Sequence, residues 1–480
     1  MAKKDFNIVV IGGGSAGLVS SYITSAVKAK VALIEKHKMG GDCLNTGCVP
    51  SKALIRTTKI LSYVGRHKEF GIRSATAEFD FSEVMERVQS VIKKIEPHDS
   101  VKRYSSLGVH CIEGEGKIVS PNKVVVGDRV YTTGNIIIAT GARPKILPIS
   151  GLEKVDYLTT DTIWNIRKQP TNLLIVGGGP IGCELAQSFA RLGTPVTLVE
   201  MFSGLLSRED KEVGRAIQDR FVNEGVDVRV DTKCKEVIVN EGRRFMVVEK
   251  NGEEDKVEFD KLLLAGGRQP NSKGFGLEEI GVCFNQNETI KVDKYLRTTK
   301  FPNIFACGDV VGPYQFTHMA AHQAWYCAVN ALTSPLKKFK VDYSVVPWST
   351  FTDPEVARVG LNEIEAQAQG LAYEVAYYGI DDLDRAIVDN DGYGFVKILT
   401  KPGKDRILGV TVMGRHAGDL ITEYILAMKH GLGLNRILQT IHIYPTLAEA
   451  NKYAAGIWKK EHVPKGLLWA LEKVHSWRRR

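Results

Sequence analysis

The sequence contains one glycine pattern twice, and each copy follows a short apolar run and precedes a helical stretch. In the first copy, Gly12-x-Gly14-x-x-Gly17 follows the run Phe6–Ile11, and helical periodicity extends over residues 15–29. A second apolar run, residues 31–34, ends at Glu35. Such a strand–turn–helix–strand unit presents helix N-terminal N–H groups to a phosphate, and its final carboxylate can bind an adenosine ribose. A lone glycine motif is weak, but the complete unit predicts a buried parallel sheet that binds a dinucleotide.

The second copy lies at residues 172–200 and predicts a second dinucleotide site. It carries Gly177, Gly179 and Gly182 in the same spacing, followed by an apolar strand that ends at Glu200. A glutamate at this place accepts hydrogen bonds from the ribose hydroxyls and repels a 2′-phosphate. The first arginine after it is Arg208. The sequence therefore favours NADH over NADPH as the nicotinamide nucleotide.

Between the two glycine units lies a pair of cysteines, Cys43 and Cys48, with Gly47 between them and Pro50 just after. We expect the pair at the entry to a helix, where the helix N-terminus stabilises a thiolate. Lys52 adds positive charge nearby. A pair held in this way can cycle between dithiol and disulfide. The alternatives are half of a zinc site, which would need further ligands, or two buried free cysteines.

Composition narrows the class of protein. The chain has 480 residues, 44% of them hydrophobic and 25% charged, which is typical of a globular protein with a sizeable core. Of the net charge of +9, more than half arises between residues 455 and 480, where seven Lys or Arg stand against two Glu. No basic stripe coincides with a nucleic-acid-binding motif, so no nucleic-acid partner is predicted. Eight cysteines without dense spacing fit a cytoplasmic enzyme with one redox pair better than a disulfide scaffold. No apolar stretch is long enough to predict a transmembrane helix.

The remaining segments predict further α/β structure. We expect a long helix over residues 82–107, short strands over 109–138 and strands with turns over 226–265. From Val345 onward the pattern changes to alternating strands, such as residues 394–399, and a helix over residues 417–430. The predicted class is α/β, with two Rossmann-like nucleotide-binding domains and a separate C-terminal α/β domain.

The sequence resembles the class I pyridine-nucleotide disulfide oxidoreductases, the group of glutathione reductase, dihydrolipoamide dehydrogenase and mercuric reductase. The resemblance extends over nearly the whole chain. Besides the two glycine patterns, it rests on the segment from Gly40 to Lys52, on Ala139-Thr140-Gly141, on Gly267-Arg268-x-Pro270-Asn271, and on the run from Ile304 to Asp309.

The resemblance implies a domain order and an assembly. Residues 1–150 and 273–344 would form an FAD-binding domain, and residues 151–272 an inserted NAD(P)-binding domain. Residues 345–465 would form a dimerisation domain, and residues 466–480 a basic tail. The protein would be a homodimer with FAD and NAD as cofactors, NADP being less favoured, and its partner chain would complete the site.

The resemblance also implies residue roles. Cys48 would be the thiol nearest the flavin and Cys43 the thiol that meets the substrate. Lys52 and Glu184 would form an ion pair beside the reactive flavin nitrogen, and Asp309 would bond the ribityl chain. Gly141 and Gly267 belong to the cofactor-binding motifs. No resident metal is predicted.

The C-terminal motif departs from the family pattern. Glutathione reductase and dihydrolipoamide dehydrogenase have a histidine before Pro-Thr, backed by a glutamate, whereas Tyr444 stands at that position here, with Glu449 in place. A phenol has a pKa of about 10 against about 6.5 for imidazole, so it is a poor base at neutral pH. Mercuric reductases also have a tyrosine here. The chain, however, shows neither their N-terminal Cys-x-x-Cys domain nor their C-terminal cysteine pair.

Several residues keep two interpretations. His442 is a candidate replacement for the missing histidine, although a structural role is favoured. His318 is a second candidate acid–base group or a packing residue. The other six cysteines are interpreted as small buried hydrophobes: Cys111, Cys183, Cys234, Cys283, Cys307 and Cys327.

Two functions follow from these patterns. The favoured one is an enzyme that passes electrons from NADH through FAD to the Cys43–Cys48 disulfide and on to a small-molecule acceptor, which could be a disulfide, a metal ion or a quinone-like oxidant. The alternative is a redox-sensing or partner-bound flavoprotein with little turnover on small disulfides. Residues 466–480 can form an amphipathic helix with Trp469 and Trp477 near its ends. That helix either packs on the protein's own dimer or makes a peripheral contact with a membrane.

Overall fold

A computed structural model describes residues 3–479, which fall into two compact units. The first unit contains residues up to 61, 77–201 and 225–342, and the second contains 62–76, 202–224 and those from 343 onward. Within the described residues the chain forms 22 strands and 16 helices. The units are groups of residues in mutual contact, and the domain boundaries given above stay predictions.

In chain order the strands are β1 (Phe6–Ile11), β2 (Val31–Glu35), β3 (His110–Glu113), β4 (Gly116–Ser120), β5 (Lys123–Val126), β6 (Arg129–Ile138), β7 (Ala142–Pro144), β8 (Tyr157–Leu158), β9 (Leu173–Val176), β10 (Val196–Val199), β11 (Asp227–Arg229), β12 (Lys233–Asn240), β13 (Arg243–Lys250), β14 (Glu253–Phe259), β15 (Lys261–Leu264), β16 (Arg268–Pro270), β17 (Ile304–Ala306), β18 (Pro347–Thr350), β19 (Glu355–Gly360), β20 (Glu374–Gly379), β21 (Phe395–Thr400) and β22 (Ile407–Gly414).

The helices are α1 (Ser15–Ala26), α2 (Gly41–Asn45), α3 (Cys48–Gly65), α4 (Phe81–Ile95), α5 (Val101–Ser106), α6 (Pro180–Arg191), α7 (Lys211–Asn223), α8 (Leu277–Ile280), α9 (Thr317–Thr333), α10 (Glu363–Ala368), α11 (Asp384–Val388), α12 (Ala417–Leu420), α13 (Thr422–Lys429), α14 (Leu434–Gln439), α15 (Glu449–Glu461) and α16 (Lys465–Arg478).

The first glycine unit forms the centre of a seven-stranded sheet in the first compact unit. Strand β1 pairs in parallel with β2 and β6, with Ile8 opposite Val31 and Asn135. Strands β3 and β17 extend this parallel part, while β4 and β5 join it as an antiparallel hairpin beside β6. The residues of β1 after Asn7 are all buried, as a strand covered on both faces requires. The buried parallel strand predicted for residues 6–11 is confirmed.

The second glycine unit forms a five-stranded parallel sheet in the order β11-β10-β9-β15-β8. The three-stranded antiparallel sheet β12-β13-β14 contributes Val237, Met246 and Val257 to a core shared with Leu174 and Leu262. Both glycine units therefore begin from a buried strand whose carboxyl end opens on a glycine turn, which is where such folds bind nucleotides.

The second compact unit is built on the antiparallel sheet β18-β19-β22-β21-β20. Its buried strand residues pack with Tyr424 from α13, Leu434 from α14 and Trp458 from α15 in one apolar core. The α/β class predicted from the sequence is confirmed.

Three predictions differ from the structure. The single helix predicted over residues 417–430 is two helices, α12 and α13, which are separated at Ile421. The single helix predicted over residues 82–107 is two helices, α4 and α5, separated by a 3₁₀ turn at Glu96–His98. Pro97 lies in that turn, where its missing N–H and fixed φ end the α-helix. Cys283 is exposed and lies outside any helix or strand, so its interpretation as a buried hydrophobe is wrong, and Cys111 and Cys234 are only partly buried.

Candidate active site

The two cysteines of the predicted redox pair lie at consecutive helix starts in the first compact unit. Cys43 is on the short helix α2, which begins after Gly40 in a left-handed conformation. Cys48 is the first residue of α3, as expected from its sequence context. At that position the free N–H groups of the first turn favour a thiolate over a thiol.

The two thiols have opposite electrostatic environments. A hydrogen bond from Cys43, assisted by Thr317 and by the positive charge of Lys52, lowers the pKa of Cys48 to about 6 in spite of its desolvation. The Thr317 hydroxyl lies 3.3 Å from the Cys48 sulfur. The same thiol–thiol hydrogen bond, together with burial, raises the pKa of Cys43. The pair is therefore arranged as a thiolate at Cys48 and a protonated thiol at Cys43.

An ion pair lies beside the thiols. Lys52, one turn along α3 from Cys48, places its Nζ 2.9 Å from Oε2 of Glu184 on α6. Glu184 is buried, while Lys52 is partly exposed. Lys52 lowers the pKa of Cys48, and Glu184 raises it. The structure thus brings together Cys43, Cys48 and Lys52 from one segment of the sequence and Glu184 from another.

The first glycine turn has the geometry of a phosphate cradle. Gly12 has φ +105°, and a Cβ there would lie 2.3 Å from the carbonyl oxygen of Ala139 on the neighbouring chain segment. A Cβ on Gly17 would lie 1.7 Å from the carbonyl oxygen of Gly12, so the helix can approach the turn only without a side chain. At Gly14, by contrast, the nearest atom to a Cβ is the Cα of Gly41 at 3.7 Å, which leaves the backbone accessible to a ligand.

The second turn repeats this geometry. Gly177 has φ +116° and a Cβ would lie 2.5 Å from the carbonyl oxygen of Ala265, while a Cβ on Gly182 would lie 1.8 Å from the carbonyl oxygen of Gly177. At Gly179 a Cβ would meet no atom within 4 Å. The first and third glycines are therefore fixed by packing, and the middle one leaves room for a bound group.

A carboxylate closes each turn. The backbone N–H of Gly13 donates to Oε2 of Glu35 at 2.5 Å, and the N–H of Gly178 donates to Oε2 of Glu200 at 2.6 Å. Each glutamate is thus held at the end of its strand, beside the glycine turn, where a ribose would lie.

The motifs around residues 141, 267 and 309 meet at a partly buried charge cluster. Arg268 pairs with Asp42 and lies 3.4 Å from Oδ2 of Asp309. Burial raises the pKa of Asp309, while Arg268 opposes that rise. Gly141 and Gly267 both have positive φ, and a Cβ at either would meet nothing within 4 Å. The sequence gives no role to Arg268 itself, although Arg268 lies inside the motif Gly267-Arg268-x-Pro270-Asn271.

These features fit two dinucleotides. Both turns combine a helix N-terminus, an open middle glycine and a carboxylate anchored to the turn, which is the donor and acceptor set that a pyrophosphate and a ribose require. The residues of the first turn, with Asp309, would hold FAD. The residues of the second turn, with Glu200, would hold a nicotinamide nucleotide.

The C-terminal motif lies in the second compact unit, and Tyr444 there has a partner that the sequence did not indicate. Tyr444 is 66% exposed, and its hydroxyl donates to Oδ2 of Asp384 at 2.9 Å. That hydrogen bond raises the pKa of Tyr444. Asp384 is the first residue of α11, sixty positions earlier in the chain, so no local pattern could have found it.

Glu449 and His442 have other partners. The buried Glu449 carboxylate accepts the backbone N–H of Thr446 at 3.2 Å, which ties the start of α15 to the turn that precedes it. His442 lies with Nδ1 3.0 Å from the carbonyl oxygen of Thr440 and Nε2 3.1 Å from Glu423. Both ring nitrogens of His442 are therefore engaged in holding the loop, which favours the structural role given to it from the sequence.

His318, the other candidate acid–base group, is exposed near the start of α9. Its ring stacks on Phe316, with 5.4 Å between the ring centroids and 8° between the planes. It is adjacent to Thr317, which contacts the Cys48 sulfur. Both interpretations of His318 stay predictions.

Comparison with known proteins identifies the family of this chain. The sequence profile described as pyridine nucleotide-disulphide oxidoreductase matches residues 6–324, and the profile of that family's dimerisation domain matches residues 346–455. The chain belongs to the class I pyridine nucleotide-disulfide oxidoreductase family, whose members are flavoprotein oxidoreductases with a disulfide redox centre. The dimerisation domain supports a homodimer.

Three similar proteins illustrate the range of that family. Mercuric reductase of Lysinibacillus sphaericus is 32% identical over 462 residues, covering 95% of this chain and 84% of the relative. Dihydrolipoyl dehydrogenase of Geobacillus stearothermophilus is 34% identical over 466 residues, covering 95% and 98%. Among solved structures, the Cu(II) complex of the HOCl-induced flavoprotein disulfide reductase RclA of Escherichia coli has a TM-score of 0.83 and 27% identity, covering 95% of this chain and 99% of that one.

Proposed function

We propose that this protein is an FAD-dependent enzyme that oxidises NADH, reduces the Cys43–Cys48 disulfide and passes the electrons to a small-molecule acceptor. The observation that carries the proposal is the asymmetric pair of thiols: the pKa of Cys48 is lowered to about 6, that of Cys43 is raised, and the Lys52–Glu184 ion pair lies alongside. Perturbed pKa values of this kind concentrate at functional sites.

The cofactors follow from the two glycine turns. Gly12, Gly14, Gly17, Glu35 and Asp309 would hold FAD, which, when bound, supplies the two-electron carrier between a nicotinamide and a disulfide. Gly177, Gly179, Gly182 and Glu200 would hold the nicotinamide nucleotide. NADH is favoured because a carboxylate at position 200, anchored by the Gly178 N–H, would repel a 2′-phosphate.

The thiols of this chain carry the electrons onward. Two electrons and one proton cleave the Cys43–Cys48 S–S bond to give a Cys43 thiol and a Cys48 thiolate, and NADH supplies both electrons and the proton as a hydride. The raised pKa of Cys43 and the lowered pKa of Cys48 favour this same combination of one thiol and one thiolate. Cys43, once deprotonated, would attack the acceptor, because a thiolate is the nucleophile in exchange.

Tyr444 bears on the identity of the acceptor. With its pKa raised by Asp384, its hydroxyl stays protonated and can donate a proton or a hydrogen bond, but it is a poor base for drawing a proton from Cys43. This supports a metal ion or a quinone-like oxidant over a small disulfide. Mercuric reductases and a Cu(II)-bound RclA among the similar proteins are consistent with that preference. We further propose a cytoplasmic location, where thiols are kept reduced.

The test is anaerobic, steady-state NADH oxidation by the purified FAD-loaded homodimer with mercuric ion, cupric ion, a soluble quinone or lipoamide as acceptor. We expect turnover with a metal ion or the quinone, little with lipoamide, and loss of acceptor turnover in Cys43→Ser with flavin reduction retained. Cys283→Ser, which removes an exposed cysteine outside the site, is the matched control. Fast lipoamide turnover would contradict the acceptor preference. Normal flavin reduction with slow turnover on every acceptor would favour a redox-sensing flavoprotein over an enzyme.

A further inference from the structure

The last helix, α16 (Lys465–Arg478), has no buried residue in this chain. Its two tryptophans are largely exposed, Trp469 by 63% and Trp477 by 74%. It follows Pro464 and lies outside the residues matched by either family profile, which end at 324 and 455. A tryptophan side chain has a large apolar surface, so two of them exposed on one helix indicate a surface that binds something.

The apolar residues of α16 form a stripe. Leu467, Leu471, Val474 and Trp477 are spaced at i, i+4, i+7 and i+10, so they lie on one face of the helix. Each of these four side chains is more than 40% exposed. The sequence spacing and the exposure together define an apolar face that no other part of residues 3–479 covers.

The charged residues of α16, with Arg479 just after it, are mostly basic. Lys465, Lys473, Arg478 and Arg479 stand against the single acid Glu472. The Lys473 ammonium lies 5.8 Å from the centroid of the Trp469 ring. Arg480 continues the run in the sequence and lies outside the described residues. Lys and Arg can extend their charged ends while their stems follow an apolar surface.

We propose that α16 is a membrane-surface helix that docks on an anionic phospholipid bilayer. An apolar stripe with tryptophans beside lysines and arginines suits the boundary between headgroups and acyl chains, and the basic residues complement anionic lipids. A protein surface would match the apolar stripe as well, but it would not by itself explain a run of arginines at the end of the helix. None of the helices within residues 3–479 has the length and hydropathy that crossing a bilayer requires, so α16 would lie in the plane of the surface.

The experiment is co-sedimentation of the full-length, FAD-loaded protein with vesicles. One set contains phosphatidylglycerol and phosphatidylcholine, and the other contains phosphatidylcholine alone. We expect the protein to partition to the anionic vesicles at least about tenfold better than to the neutral ones, and salt to weaken binding, because screening reduces the electrostatic attraction. The variant Val474→Glu should lose most of the binding, because its charge falls near the middle of the apolar stripe.

Ser476→Glu is the matched control. Ser476 is partly exposed and, two residues from Val474, lies on the opposite side of α16 from the stripe, so the same added charge there should reduce binding far less. NADH oxidation with a soluble acceptor checks that each variant is folded, because these surface residues take no part in that reaction.

Failure of the wild type to bind anionic vesicles overturns the proposal, as does equal binding to neutral vesicles. If Val474→Glu instead changes the oligomeric state in sedimentation velocity and not vesicle binding, α16 is an interface between copies of this chain and the proposal is wrong. None of these outcomes depends on the acceptor, so the function proposed above is tested separately.

Discussion

The Tyr444 hydroxyl donates a hydrogen bond to the Asp384 carboxylate, with 2.9 Å between Oη and Oδ2. In the family pattern this place belongs to a histidine backed by a glutamate. Here the aligned glutamate, Glu449, accepts a backbone N–H from Thr446, and an aspartate from α11 backs the tyrosine. Tyr444 is therefore better suited to donate a proton than to accept one, because the negative charge of Asp384 keeps the phenol protonated.

If Tyr444 acts as a proton donor, its raised pKa sets the alkaline limit of acceptor turnover. Asp384→Asn removes the negative charge that raises the pKa of Tyr444, so we expect the alkaline limb of the kcat profile to shift to lower pH. Tyr444→Phe should remove that limb and reduce turnover by about tenfold or more. Tyr377→Phe, at an exposed tyrosine stacked on Phe395, is the control and should leave the profile unchanged. An unshifted limb in Asp384→Asn would show that Asp384 does not position Tyr444 for catalysis.

The thiol asymmetry predicts a thiolate titration at unusually low pH. In the reduced protein, thiolate absorbance near 240 nm should rise with a midpoint near pH 6, since Cys48 ionises above its lowered pKa. Cys48→Ser should abolish this step. Cys43→Ala should raise its midpoint toward the ordinary value of about 8.5, because the hydrogen bond from Cys43 is the largest cause of the lowered pKa. Cys283→Ala should leave the step in place, and a wild-type midpoint above pH 8 would contradict the arrangement.

The Lys52–Glu184 ion pair predicts shifts of opposite sign in the same titration. Lys52→Met removes a positive charge that lowers the pKa of Cys48, so the midpoint should move to higher pH. Glu184→Gln removes a negative charge that raises it, so the midpoint should move to lower pH. Each shift should be smaller than that of Cys43→Ala, because the thiol–thiol hydrogen bond is the larger cause. Shifts in the same direction for both variants would indicate a general loss of structure, which near-UV circular dichroism would detect.

How much of this site a sequence can predict depends on how local its determinants are. The glycine turns, Glu35 and Glu200 could be predicted because one strand–turn–helix unit fixes them within about thirty residues. The position of Cys48 at a helix start is equally local.

Some of these residues have hydrogen-bond partners that lie far away in the sequence. Thr317 reaches Cys48 from 269 residues away, and Asp384 reaches Tyr444 from 60 residues away. Only tertiary packing brings such pairs together. The apolar spacing of the sequence does not predict the break between α4 and α5. Helical periodicity continues past Pro97, although the proline ends the hydrogen-bonding pattern of the helix there.

Glu200 predicts a preference for NADH that one substitution should weaken. Because its carboxylate is anchored by the Gly178 N–H and would repel a 2′-phosphate, kcat/KM for NADH should exceed that for NADPH in the wild type. Glu200→Gln keeps an acceptor for the Gly178 N–H and removes the charge, so the preference should fall by about tenfold, equivalent to about 1.4 kcal/mol. Glu253→Gln, at an exposed position on β14, is the control for loss of one acid. A preference unchanged by Glu200→Gln would mean that other residues select the nucleotide.

A buried lysine in the second compact unit predicts a large effect on stability. Lys397 on β21 is 3% exposed and pairs with Asp210 at 2.9 Å, with Glu212 and with Glu363. Burial lowers the pKa of Lys397, but hydrogen bonds to these three carboxylates more than offset it, so its pKa is raised and the ammonium stays charged. Lys397→Met would leave the Asp210 carboxylate buried without a cation, which should lower the free energy of unfolding by about 3–5 kcal/mol.

Thermal unfolding of the FAD-loaded protein measures this loss. Adding Asp210→Asn to Lys397→Met should recover part of it, because the second change removes the uncompensated buried charge. Lys401→Met, just beyond the same strand at an exposed position, should have an effect within about 0.5 kcal/mol. The contrary result is that Lys397→Met lowers the free energy of unfolding no more than Lys401→Met does. That result would show that solvent stabilises the three carboxylates and that Lys397 does not hold residues 210–212 to β21.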